Sequence, residues 1–351
     1  MPWRNPSLIV CLALGLVCCA PLGSDSAHTK EQQEAAGLTT FMVYFENDFF
    51  AGTDRHYTNA VKLTLLTKDL ARYEEVLPAW STLATKRLPF ARQALDEETA
   101  AHNIGFSLGH NLYTPEDTDA EELIEDDRPY AGWLYAALAL HRREALRLDT
   151  FEVTVGVVGP SASGEEIQNT VHSYGGSNNA DGWDHQLKDE PGVMLSWQQS
   201  RKILLLDGQG AGLDLVPHFG LTLGNVFTYA NLGCEARLGW NLPWDFGTAL
   251  IRPGATLSAP IPGHDQRSDF GLHVFAGTDV RLVLQNIFLD GNTWKSSHSV
   301  DKKPFVADLY AGIGLSYKRF RIVYTHAYRT EEFDGQGSGQ SFGSVNLRYA
   351  F

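Results

Sequence analysis

Of four cysteines, three (Cys11, Cys18 and Cys19) fall in the first nineteen residues, and only Cys234 lies beyond them. Once the leader is removed, no pair is left for an intrachain disulfide, so the fold must hold without one. Long hydrophobic runs are equally scarce. After the opening segment no stretch is apolar enough for a transmembrane helix. Basic residues are few: 28 Lys and Arg against 42 Asp and Glu give a net charge of −14, which argues against a nucleic-acid partner. Two G-x-S-x-G matches, Gly105 to Gly109 and Gly339 to Gly343, fall within or at the start of expected strands and not at strand-to-helix turns, so neither is a nucleophile elbow, and there is no H-E-x-x-H zinc helix.

What is present begins with an export signal. Arg4 precedes a short apolar run, Leu8 to Ala20, followed by small residues to Ala27. That layout predicts a signal peptide over 1–27, a short extension over 28–37 and one domain over 38–351. With no apolar helix, a membrane-bound mature chain is left with a closed barrel as the way to satisfy its backbone.

The dominant pattern has a period of two. In 307–317, Leu309, Ala311, Ile313, Leu315 and Tyr317 alternate with Asp308, Gly312, Gly314 and Ser316. The last residues do the same, Val345, Leu347, Tyr349 and Phe351 against Ser344, Asn346 and Arg348. A soluble sandwich would also alternate. Strands of about ten residues, charges on the inner-phase positions and a terminal aromatic favour an all-β, twelve-stranded antiparallel transmembrane β-barrel. The expected strands are 39–48, 57–68, 102–112, 131–142, 147–158, 192–205, 212–223, 228–242, 269–289, 304–317, 319–331 and 342–351. With both ends periplasmic, the short connections at 143–146, 206–211 and 318 are inner turns. The connections 69–101 and 243–268 are too long for that role. Spacing of Leu70, Tyr73, Leu77, Trp80 and Leu83 suggests a periplasmic helix in the first.

Polar residues gather at the opposite rim, from Asn47-Asp48, from Thr58, from Asp126 to Tyr130 and from 159–191. Several loops converging on one rim make a site on a rigid scaffold. Within the last loop, Ser163 and Glu166 form a capping box for a short extracellular-loop helix over 163–174. Ile167 and Val171 supply its apolar stripe, while Gln168 and His172 share a face. By spacing alone His172 reads first as a surface histidine at a helix C-terminus, and Asn47-Asp48 reads as a calcium-type oxygen site or as a turn.

These motifs resemble the outer-membrane lipid A 3′-O-deacylase family. The resemblance rests on Asn47-Asp48, Tyr57-Thr58-Asn59, Asn111 to Pro115, Asp127 to Gly132, Gly156 to Pro160, Gly164 to Asn169 with His172, Gly182 to Gln186 and Glu190-Pro191. It implies a twelve-stranded barrel with its site between the wall and a loop helix. It further implies Ca²⁺-dependent removal of the 3′-acyloxyacyl chain of lipid A, in a monomer facing the outside of the outer membrane. In that reading His172 is the catalytic base, and Asp48 the metal ligand. Asn47 and Thr58 complete the site, and Gln168, Asn169 and Arg128 contact substrate. The loop Glu116 to Asp127 departs from the family pattern by having no lysine. Two other readings stand beside this one: a non-catalytic barrel for binding, transport or structure, and a phospholipid acyl hydrolase.

Overall fold

The computed structural model describes residues 37–48, 56–77, 100–175, 180–208, 210–248, 250–252 and 269–351. The expected signal peptide, and the extension except for Gly37, therefore lie outside the described residues. The strands are β1 (Leu38–Asn47), β2 (His56–Thr67), β3 (Ala101–Thr114), β4 (Ala131–Glu144), β5 (Arg147–Val158), β6 (Glu190–Arg201) and β7 (Ile203–Asp207). They continue with β8 (Ala211–Gly224), β9 (Phe227–Trp240), β10 (Phe270–Asn286), β11 (Phe305–Tyr317), β12 (Phe320–Arg329) and β13 (Gln340–Ala350). All pair antiparallel in one sheet, which closes twice: β1 on β13, and β6 on β8.

The barrel has twelve staves, because β6 and β7 are one interrupted strand. Ser200 faces His218 and Ile203 faces Leu215, the same register on both sides of the gap. Pro217 of β8 falls opposite the gap, where it has no N–H to give the ladder. The single strand expected at 192–205 is therefore broken.

Alternation works in reverse of a soluble protein. In β11, Phe305, Leu309, Ile313, Leu315 and Tyr317 are exposed on the outer wall, while Asp308, Tyr310 and Ser316 are buried inside. Exposed Leu and Val side chains continue this band around the sheet, with Trp240, Phe270, Tyr317 and Phe320 near the rim that carries the chain termini. That is the aromatic-edged apolar belt of a lipid-facing wall.

The lumen is filled with paired charges. Arg237 binds Asp214 (Nη2 to Oδ2, 2.7 Å) and Asp245. Asp279 meets Arg252 at 2.8 Å and His218 at 2.8 Å, and Asp308 joins Arg281 at 2.9 Å to Arg329 at 2.7 Å. Buried ions persist only when paired in this way.

The connection after β9 does not hang below the barrel as a loop; its described part turns upward inside. Asp245 pairs with Arg237 and Arg321, Lys202 Nζ donates to Pro243 O (3.2 Å), and Phe246, Leu250 and Ile251 are buried in the main core. The described residues of this connection thus form an internal plug. The connection after β2 begins differently, against the outer face: Leu70 pairs with His102, Tyr73 packs on the His102 ring at 4.7 Å, and both cluster with Ile104 and Leu140, which share the outward phase of Phe106 and Leu134. Only a 3-10 turn, Tyr73–Glu75, is seen there, and the expected helix otherwise falls in 78–99, outside the described residues.

The opposite mouth is capped. The loop after β5 carries helix α1 (Gly164–Gly175), and β10 ends at Asn286, earlier than the expected 289, because the Asn286 side chain accepts from Phe288 N (3.1 Å) and starts the short helix α2 (Ile287–Asp290). Phe288 then stacks on Tyr113 across the mouth, ring centres 3.9 Å apart. His298 bonds to Asp127 O (2.8 Å), and Lys303 N donates to Glu332 O (2.8 Å), so three loops are stitched over the lumen.

Candidate active site at the rim

The outer wall near this capped rim carries a row set by strand register. Asn47 of β1 lies opposite Asn59 of β2, Asn59 opposite Leu112 of β3, and Leu112 opposite Gly132 of β4. Each is in phase with residues that face outward: Phe45, Leu63, Leu108 and Leu134. Two asparagines thus stand on the lipid side of the barrel. Polar side chains there are costly unless they are covered or used.

Part of the row is covered by the loop between β5 and β6. Gly159 N donates to Gly132 O (3.1 Å), and a 3-10 turn at Pro160–Ala162 leads into α1 (Gly164–Gly175). The lead-in lies against the wall, with His110 Nε2 2.7 Å from Ala162 O. Leu112, though outward-facing, is only 2% exposed because this segment packs on it. Close approach requires glycine: a Cβ on Gly132 would lie 3.1 Å from Ala162 Cβ and 3.3 Å from Gly164 Cα.

The start of α1 differs from the expected capping box. Ser163 is left-handed (φ 54, ψ 38) and closes the preceding turn, whereas a capping serine is extended. The expected apolar stripe is also misplaced. Ile167 is 39% exposed, while Gln168 is buried, because the helix turns its Gly164–Gln168 face to Trp183. Gln168 Oε1 accepts from Trp183 Nε1 (3.0 Å), and Asn169 Oδ1 accepts from Ala180 N (3.0 Å). Both carbonyls fasten the helix to the chain that follows it. Gln168 Nε2 meets no acceptor among the described residues.

Asn47 is nearly buried, and Asp48, directly after β1, is 1% exposed. Thr58 is the extra residue of a β-bulge, since Tyr57 faces Tyr113 and Asn59 faces Leu112. Bulges re-aim side chains and recur beside active sites. His172 belongs to α1, one turn beyond Gln168. The side chains of Thr58 and His172 lie outside the described residues.

Arg128 sits elsewhere. It is 1% exposed, with Nη1 3.3 Å from Glu332 Oε2 and its guanidinium 5.1 Å above the Tyr113 ring. Tyr113 and Glu332 belong to the capped mouth, so the wall separates Arg128 from the asparagine row. Burial works against charge on Glu332, yet Arg329 and Arg128 hold its carboxyl below the ordinary range. Asp127 beside it is committed to structure, accepting from Glu116 N (2.7 Å) and Arg128 N (2.6 Å).

Asn59 stands in the motif Tyr57-Thr58-Asn59 but was assigned no role at the site from sequence. A polar side chain in phase with Val61 and Leu63 was the available signal. Among the described residues, no three His, Cys, Asp or Glu side chains converge where a metal ion could sit.

A family model described as outer membrane protein LpxR matches residues 8–351. LpxR from Salmonella typhimurium superposes with a TM-score of 0.70 at 20% identity, over 89% of this chain and 100% of that one. The β domain of the Bordetella autotransporter BrkA gives 0.40 at 10% identity, over 90% and 100% of the two chains. The COG4313 outer membrane channel from Pseudomonas putida F1 gives 0.39 at 12%, over 90% and 96%. Comparison with curated protein sequences finds no match.

Proposed function

Because the chain belongs to the LpxR family of outer membrane proteins, we propose that it is a Ca²⁺-dependent ester hydrolase that removes the 3′-acyloxyacyl chain of lipid A. The observation that carries this reading is the outward-facing pair Asn47 and Asn59 beside a buried Asp48, on the wall that α1 overlies at its start. A lipid reaches such a place sideways, without leaving its leaflet. Exposed Leu63, Phe106, Leu108 and Leu134 lie on the same wall and give its acyl chains an apolar surface. The capped rim faces the cell exterior, where lipid A resides, and one chain suffices for the site.

Asp48 and Asn47 offer hard oxygen donors of the kind Ca²⁺ takes, and backbone carbonyls and water can complete such a shell. The ion, when bound, supplies a Lewis acid for the ester carbonyl. His172 accepts a proton from the attacking water, which requires it to be neutral at the working pH. Asn47 and Thr58 orient water and ester through hydrogen bonds. Gln168 and Asn169 act mainly by holding α1 in place, with Gln168 Nε2 left as a donor for substrate. Arg128 orders the loop before β4.

Of the competing readings, transport is disfavoured by the plug below and the cap above. The lysine-free acidic loop Glu116 to Asp127 is the feature in favour of a non-catalytic barrel, and a phospholipid hydrolase would use the same groups as the lipid A enzyme. Mass spectrometry of lipid A from cells with and without the protein tests the proposal. Loss of one acyloxyacyl unit is expected, abolished by chelator and by His172→Ala. Unchanged lipid A alongside hydrolysed phospholipid would move the assignment to the second substrate, and full activity in His172→Ala would remove the histidine from the mechanism.

A further inference from the structure

The last described residues of the internal plug, Ile251 and Arg252, touch two segments that frame the rim. Ile251 N donates to Glu46 Oε1 at 2.6 Å, and Glu46 immediately precedes Asn47 and Asp48. Glu46 is 1% exposed and points into the lumen, so its carboxylate reaches the plug from the opposite face of the strand to Asn47. The next plug residue, Arg252, pairs with Asp279 at 2.8 Å. From there charges run without a gap: Asp279 to Arg281 (3.8 Å), Arg281 to Asp308 (2.9 Å), Asp308 to Arg329 (2.7 Å), Arg329 to Glu332 (3.8 Å) and Glu332 to Arg128 (3.3 Å). One end of this chain is the plug and the other is the loop before β4, which carries Gly132. The foot of the plug is anchored far away, through Asp245 on Arg237 and Arg321.

We infer that the plug is an internal strut for the reaction site, and that Glu46 is a positioning residue which sets the end of β1 by accepting the Ile251 N–H. A strand end with its ladder on both sides still frays at its last residues. A buried carboxylate holding a fixed N–H from inside removes that freedom.

The proposal rests on the hydrolase reading for its kinetic consequence, but not for its structural one. The full-length exported protein, folded in detergent, is compared with Glu46→Leu and Glu46→Gln by hydrogen exchange and by turnover of lipid A. In Glu46→Leu, amides at the end of β1 are expected to exchange about tenfold faster, as for a buried N–H that loses its acceptor. The rate kcat falls by about the same factor while KM stays near wild type, since substrate binding on the wall is not altered. Glu46→Gln, whose amide oxygen still accepts, restores both. If Leu at 46 blocks folding, Ile251→Pro removes the donor and leaves the carboxylate in place, with the same expectation. Unchanged exchange at the β1 end in a folded variant overturns the strut. Equal loss of activity in the Gln and Leu variants overturns the positioning role. A wild-type protein that cleaves no lipid A refutes the hydrolase reading instead, and the exchange pattern then decides the strut by itself.

Discussion

Adding one methyl group to Gly164 tests whether α1 is docked as described. A Cβ there lies 2.6 Å from Trp183 Cη2 and 3.1 Å from Leu112 Cδ2. Carbon atoms rest at about 3.5–4.0 Å, so ring and helix must part by roughly 1 Å. The ring has little room to move. Trp183 is 1% exposed, donates to Gln168, and lies 4.9 Å from the Tyr130 ring. Forced overpacking costs about 1–3 kcal/mol. Against this, alanine favours a helix over glycine by at most ~1 kcal/mol, and less at the first helical residue. The clash wins by about 1–2 kcal/mol, which raises the undocked population of α1 roughly 5–30-fold. Hydrogen exchange over 164–175 should accelerate accordingly and lipid A turnover should fall. The melting temperature of the barrel should not move, because α1 lies outside the strand ladder. Exchange in Gly164→Ala as slow as in wild type, with the barrel intact, would show that helix propensity outweighs the contact and that the packing is looser than the distances imply.

Glu332 gives the cap a pH dependence. Its carboxyl is held below the ordinary value of 4.5 by Arg329 and Arg128 despite burial. The stability it contributes is therefore complete above that value and disappears as pH falls through the lowered one. Exchange in 298–304 and 330–339 should stay slow to mildly acidic pH and accelerate only below the usual carboxylate range, and Glu332→Gln should remove that step; an identical acid profile in the variant would refute it. With both ends closed, the wild-type barrel should show no steady conductance in a planar bilayer, whereas deleting Trp244 to Arg252 should produce discrete openings. Continuous conductance by the intact chain would contradict the plug.

The staves were legible because a lipid-facing wall imposes strict alternation. Side chains such as Leu309, Ile313 and Leu315 can satisfy it only on one face. What the alternation could not reveal was the interior. Residues 242–251 include Leu242, Trp244, Phe246, Leu250 and Ile251, which is too much apolar surface for a turn in water. Leu242, Trp244 and Phe246 alternate only briefly before the spacing breaks to Leu250 and Ile251, too short a pattern to mark a strand, and Phe246, Leu250 and Ile251 are the ones buried in the core. The cap was hidden for a related reason. Ile287-Phe288-Leu289 continues the apolar character of β10, and only Asn286 and Asp290, which bond Phe288 N and Asn286 N, mark the change to a helical turn. At the site, the loop helix and the motifs around Asn47 and Thr58 were readable as a family pattern. That Gln168 and Asn169 would spend their carbonyls on Trp183 and Ala180, and that Arg128 would lie inside the mouth, required the three-dimensional path of two loops.

The plug also bears on how this protein is made. The bond from Ile251 to Glu46 joins residues 205 positions apart, and the ladder between β1 and β13 joins the two ends of the chain. Contacts of such high contact order form late and slowly. Until the first stave meets the last, β1 has only β2 beside it, and Glu46 faces an open sheet. Closure of the seam and seating of the plug tip on Glu46 therefore belong to one cooperative event. A nascent barrel remains without this interior hydrogen bond until the C-terminal strand has been delivered.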